Sequence, residues 1–129
     1  AAVTGVASIG VTSFIVNQPM KRARRRKRPD RLGLGVPLSR WVPMPTSTSF
    51  PSGHSASAAA FAVSVGRLWP ALRWPLGAGA ATVAFSRVYT GVHYPGDVVV
   101  GVTVGAIAGE VVSRVAAGAA KARARRTDG

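Results

Sequence analysis

Two histidines are the only imidazoles in this chain of 129 residues, and each stands beside groups that could set it to work. His54 follows Pro51-Ser52-Gly53. Ser52 is a natural N-cap, so His54 falls in the first turn of a helix whose free N–H groups face any anion placed there. Gly53 has no side chain to block that approach. His93 lies in Ser86-Arg87-Val88-Tyr89-Thr90-Gly91-Val92-His93-Tyr94-Pro95-Gly96-Asp97. Asp97 can accept from one ring nitrogen, setting the tautomer and leaving the other nitrogen free to attack. Arg87 closes an apolar stretch, where a guanidinium is costly unless it meets an anion or a polar cavity. Upstream, Lys21-Arg22-Ala23-Arg24-Arg25-Arg26-Lys27-Arg28-Pro29 places Lys21 and Arg28 two turns apart on one helical face, if the preceding helix extends that far. Taken singly, each element has a plainer explanation: a helix cap with a surface histidine, an aspartate that only caps, a basic run facing acidic lipid. Taken together, they are three anion-seeking elements with two ring nitrogens among them.

Composition narrows what such elements can do. Lys and Arg total 17 against 4 acidic residues, a formal charge of +13, yet 47% of the chain is hydrophobic. That pairing points to a membrane protein with basic edges and to anionic partners. The absence of cysteine rules out disulfides, thiolate nucleophiles and cysteine zinc sites. Four acidic residues argue against a carboxylate-built cation cage, so neither metal nor cofactor is expected.

The elements that must position these residues read as helices. Ala1 to Met20 is a charge-free stretch about long enough to cross a bilayer. Residues 30–51 read as an ordered loop rich in Pro, Gly and Ser, with a short turn near Leu38 to Val42. A second helix is predicted from Ser52 to Trp69, a third from Pro75 to Val88, and a fourth from Asp97 to Ala117. Pro95-Gly96 suggests a tight turn before Asp97, which would cap the last helix. Ala, Gly, Ser and Val dominate these helices, which suits close packing in lipid. The expectation is therefore an all-α, membrane-embedded bundle of four main helices, one domain over residues 1–118, with a basic tail over 119–129.

In order, these elements spell Lys-x6-Arg-Pro, Pro-Ser-Gly-His and Ser-Arg-x5-His-x3-Asp. This resembles the three-part signature of the type 2 phosphatidic acid phosphatase superfamily, which also holds bacterial non-specific acid phosphatases and vanadium-dependent haloperoxidases. The match spans Lys21 to Asp97, with every signature position filled. The resemblance implies a metal-independent phosphatase acting on a lipid phosphomonoester or diphosphate through a phosphohistidine. It makes His93 the nucleophile, Asp97 its orienting partner and His54 the proton donor. It makes Lys21, Arg28, Ser52, Gly53 and Arg87 the phosphate cradle. Membrane members usually have six helices, so the four here correspond to the last four. The implied partners are a lipid phosphate and the bilayer, with no nucleic acid expected and the site facing outward across a bacterial plasma membrane. Two other readings compete: a non-enzymatic anchor whose polybasic loop binds acidic lipid or nucleic acid, and a soluble acid phosphatase of the same superfamily. Under the phosphatase reading, neutralising Arg22, Arg24, Arg25 and Arg26 should largely spare catalysis.

Overall fold

The structure is a computed structural model and describes residues 2–127. Ala1, Asp128 and Gly129, the extremities of the expected first helix and basic tail, lie outside the described residues. Five α-helices follow one another: α1 (Ala2–Ile15), α2 (Lys21–Ala23), α3 (Gly53–Leu68), α4 (Arg73–Tyr89) and α5 (Pro95–Thr127). No strand occurs among the described residues. Four of the helices are substantial, as expected.

α1 does not stop at Asn17-Gln18-Pro19. A π-helical turn over Val16–Met20 carries it into α2, closed by the Lys21 N–H donating to the Val16 carbonyl. Pro19 has no N–H for the α-helical ladder, and a widened turn absorbs the loss without ending the helix. The turn brings Lys21 inward from the basic run.

α3 starts and stops where its residues say it should. Ser52 is the N-cap and its hydroxyl accepts from the Ser55 N–H, while Trp69 caps the far end ahead of Pro70. α4 begins at Arg73, two residues before Pro75, which tolerates a position in the first turn where no helical N–H is required. α5 begins at Pro95, not at Asp97. The expected tight turn is replaced by proline at the first helical position, with the Asp97 carboxylate two residues on accepting the Tyr94 N–H at 3.0 Å. The helix does not end at Ala117. It runs through Lys121, Arg123, Arg125 and Arg126, because Ala, Arg and Lys favour helix and no proline intervenes.

The core is the seam between α3 and α5, and it is built from small residues. Ala56, Ala59, Ala60 and Ala108 are buried there. A Cβ placed on Gly101 would stand 2.5 Å from the Ser52 carbonyl oxygen, and on Gly105 or Gly109 it would overlap the Ala56 or Ala60 carbonyl. The two backbones therefore touch directly, the close approach that small residues allow. α1 joins through polar contacts, with the Ser8 and Ser64 hydroxyls 3.0 Å apart in the interior. Among the described residues α5 alone is long and apolar enough to cross a membrane, with mean hydropathy 1.7 over its best 18 residues and a third of that stretch buried. α1, α3 and α4 are shorter, at 14, 16 and 17 residues.

Candidate active site

The α4–α5 connection fixes His93 mainly through backbone. Gly91, at φ +70°, takes the left-handed conformation that ends many helices, and a Cβ there would meet the Arg31 side chain at 2.9 Å. Its N–H donates to the Val88 carbonyl at 2.9 Å. The N–H groups of Val92 and His93 both donate to the Arg87 carbonyl at 3.2 Å. The chain is thus folded back at the end of α4, and the His93 ring is carried into the interior with 4% of its surface exposed.

One cavity of about 440 Å³ collects Lys21, Arg28, Gly53, His54 and His93 from the expected set, together with Ser13, Asn17 and Ser47. Residues from three distant stretches thus converge. Arg28 is the most heavily bonded: its Nε donates to the Ser47 carbonyl at 2.8 Å, and one terminal nitrogen donates to the Val92 carbonyl at 2.8 Å. That same nitrogen lies 3.2 Å from His93 Nε2. The Lys21 ammonium donates to the Ser47 hydroxyl at 2.8 Å, and Arg28 donates to that hydroxyl at 3.1 Å. Ser47 spaces two cations that would otherwise repel, a role no sequence feature announced.

Guanidinium can only donate, so the nitrogen facing Arg28 presents its lone pair, and in the neutral ring the proton sits on Nδ1. This is the tautomer in which Nε2 can attack. Burial, then the Arg28 charge, lowers the His93 pKa from its usual value to about 4, against the weaker opposing pull of the nearby Ser49 backbone and Asp97. His93 stands in a loop between helices and is neutral at physiological pH.

Three expected residues lie outside the cavity lining. Asp97 is fully buried behind His93, its Oδ2 3.8 Å from His93 Nδ1. That is beyond hydrogen-bond reach, and Nδ1 has no partner. The carboxylate is instead held by Arg26 at 3.1 Å, by the Ser49 hydroxyl and by the Tyr94 N–H. Ser52 is fully buried, its hydroxyl 2.9 Å from that of Ser55 and its N–H donating to the Asp97 carbonyl at 3.0 Å. It clamps the start of α3 onto the start of α5. Arg87 is half-buried beside the site, where its charge, with those of Lys21 and Arg28, acts on His54. Arg26 and Ser49 escaped sequence reasoning because one is lost in a basic run and the other in a serine-rich loop.

No group of three or more His, Cys, Asp or Glu side chains gathers among the described residues. The site offers instead a cationic recess with one buried neutral imidazole and one exposed one, suited to receiving a tetrahedral oxyanion.

Decaprenylphosphoryl-5-phosphoribose phosphatase of Mycobacterium tuberculosis is 42% identical over 107 residues, which is 82% of this chain and 56% of that protein. Lipid A 1-phosphatase of Rhizobium johnstonii is 35% identical over 99 residues, covering 74% of this chain and 40% of that one. The chain thus spans about half the length of these relatives. The crystal structure of a transmembrane PAP2-type phosphatidylglycerolphosphate phosphatase from Bacillus subtilis superposes with a TM-score of 0.69 at 28% identity, over 88% of this chain and 57% of that one. With the PAP2 superfamily profile matching residues 1–120, the chain belongs to the PAP2 superfamily.

Proposed function

We propose that the chain forms the catalytic core of a membrane phosphatase that hydrolyses a lipid phosphomonoester or diphosphate without a metal, through a phosphohistidine. The single observation that carries this reading is the convergence of His54, His93, Lys21 and Arg28 on one recess, with the buried imidazole neutral and its Nε2 facing a guanidinium. In the reaction, Nε2 of His93 attacks phosphorus and the bond to the leaving oxygen breaks as His54 gives that oxygen a proton. A water then attacks the phosphohistidine, His54 takes its proton, and the N–P electron pair returns to Nε2. Lys21, Arg28 and Arg87 offset the charge that builds on the non-bridging oxygens, with the first-turn N–H groups around Gly53 beside them. As phosphate enters, the Arg28 nitrogen leaves Nε2 for a phosphoryl oxygen and frees the lone pair.

Substrate class follows the relatives, whose names specify polyprenyl-phosphoryl and lipid A phosphates, and the apolar helices that flank the recess. We place the site on the extracytoplasmic side. The exposed basic end of α5 favours the cytoplasmic face, and Lys21, Arg28 and Arg87 serve the site and do not count as topology signals. A purely electrostatic anchor would leave its cations facing outward, whereas Lys21, Arg26 and Arg28 bond inward.

The test is phosphate release from phosphatidate, phosphatidylglycerophosphate and a polyprenyl diphosphate by the purified chain in detergent with EDTA. Turnover should persist in EDTA, fall with vanadate and disappear in His93→Ala. EDTA-resistant turnover by His93→Ala at the parent rate would overturn the assignment.

A further inference from the structure

Behind the proposed nucleophile lies a closed ring of contacts that the signature does not contain. Asp97 has no exposed surface, and a buried carboxylate is costly unless a cation and hydrogen-bond donors meet it. A guanidinium nitrogen of Arg26 meets Oδ1 at 3.1 Å. The Ser49 hydroxyl and the Tyr94 N–H both donate to Oδ2. The guanidinium of Arg26 also lies over the Tyr94 ring, 4.1 Å from its centre, which holds the planar group in place. The Ser49 N–H donates to the Arg26 carbonyl at 2.9 Å and closes the ring. Both carboxylate oxygens are thereby pinned, and the carboxylate cannot rotate about its own axis.

What the ring faces is a buried, unpartnered N–H. His93 Nδ1 lies 3.8 Å from the pinned Oδ2, so a hydrogen bond requires the two to approach by roughly 0.9 Å. When Nε2 bonds to phosphorus the imidazole becomes cationic, and a carboxylate held in orientation 3.8 Å from Nδ1 stabilises that charge, needing only the short approach of the ring to complete the bond. We infer that Arg26 and Ser49 are positioning residues that hold the Asp97 carboxylate at His93 Nδ1, so that one arginine of the basic run serves the chemistry and not the lipid surface. This rests on the reading of His93 as nucleophile. On this inference Arg26 stands apart from Arg22, Arg24 and Arg25, whose neutralisation should still largely spare catalysis.

The experiment compares Arg26→Gln, Arg26→Lys, Ser49→Ala, Asp97→Asn and the double variant Arg26→Gln/Asp97→Asn, with exposed Arg25→Gln as control and His93→Ala alongside. With a short-chain lipid phosphate, Arg26→Gln should lower kcat by about 10- to 100-fold with KM within about twofold, the usual size for loss of an outer-shell partner. Arg26→Lys, which keeps the charge, should regain part of kcat, and Arg25→Gln should match the parent. Because Arg26 and Asp97 act as a unit, the double variant should be within about twofold of Asp97→Asn alone. Where Arg26→Gln does not fold, Ser49→Ala carries the test, with a fall in kcat of about threefold to tenfold and KM unchanged. Parent-like kcat in Arg26→Gln or in Ser49→Ala, or losses that multiply in the double variant, would overturn the proposal. A dead His93→Ala beside a fully active Arg26→Gln sinks this inference alone, whereas an active His93→Ala sinks the catalytic reading beneath it.

Discussion

The α3–α5 seam and α4 both deliver residues to the same recess, yet they are built on opposite terms. Along the seam, glycines of α5 rest on carbonyls of α3, and Ser52 and Asp97 are bonded backbone to backbone. α4 buries no residue at all, and Trp74 and Phe85 project from it with 83% and 65% of their surface exposed. The contrast separates precision from adaptability. The helices that set His54 and Asp97 meet backbone to backbone, while α4, which leads to Arg87 and His93, lies along α3 through half-buried side chains.

The largest expected effect comes from filling the seam. Gly105→Leu should abolish folding, since even a Cβ there overlaps the Ala56 carbonyl and overpacking costs about 1–3 kcal/mol or more. Gly101→Ala, pressing on Ser52, should be milder in thermal unfolding and severe in kcat. A soluble Gly105→Leu protein with parent stability would erase the distinction. A smaller effect is expected at His93, which belongs to neither region. Its lowered pKa leaves the ring neutral until pH approaches about 4, so the acid limb of kcat/KM should lie well below the usual histidine range. Arg28→Gln removes a charge that opposes protonation and should shift that limb upward. Stability follows the same sign: the unfolded ring takes a proton near its usual value of about 6.5 and the folded one near 4, so the fold weakens as pH falls between them. The smallest effect is expected on α4. Gly79 has open space at its Cβ, so Gly79→Ala should be neutral or stabilising by up to about 1 kcal/mol in a thermal melt. A large destabilisation there would show that α4 is packed more tightly than its exposure implies.

Much of this was legible before any coordinates, for local reasons. Ser52 and Trp69 bracket α3 as their cap chemistry requires, and the short turn expected near residue 38 exists as a 3₁₀ turn over Leu38–Arg40. Boundaries failed where local signals competed. Pro19, a residue that usually ends helices, lies inside a π turn, and Pro95, half of an expected tight turn, is the first residue of α5. In the site, Lys21, Arg28, Gly53, His54 and His93 meet as their order suggested, because each belongs to a spaced pattern. Ser47, Ser49 and Arg26 do not. Their importance arises from contacts across 19 to 71 positions of chain, which no local pattern encodes.

The carbonyl of Arg87 accepts from two successive N–H groups, and in doing so it makes the main chain the ruler that sets the distance from that residue to His93. Charge and placement are therefore separable at this position. The side chain can be trimmed, neutralised or replaced by an isostere while the peptide group beneath it goes on holding His93 in register. That makes Arg87 the place to ask how much of the proposed reaction's rate is owed to one positive charge.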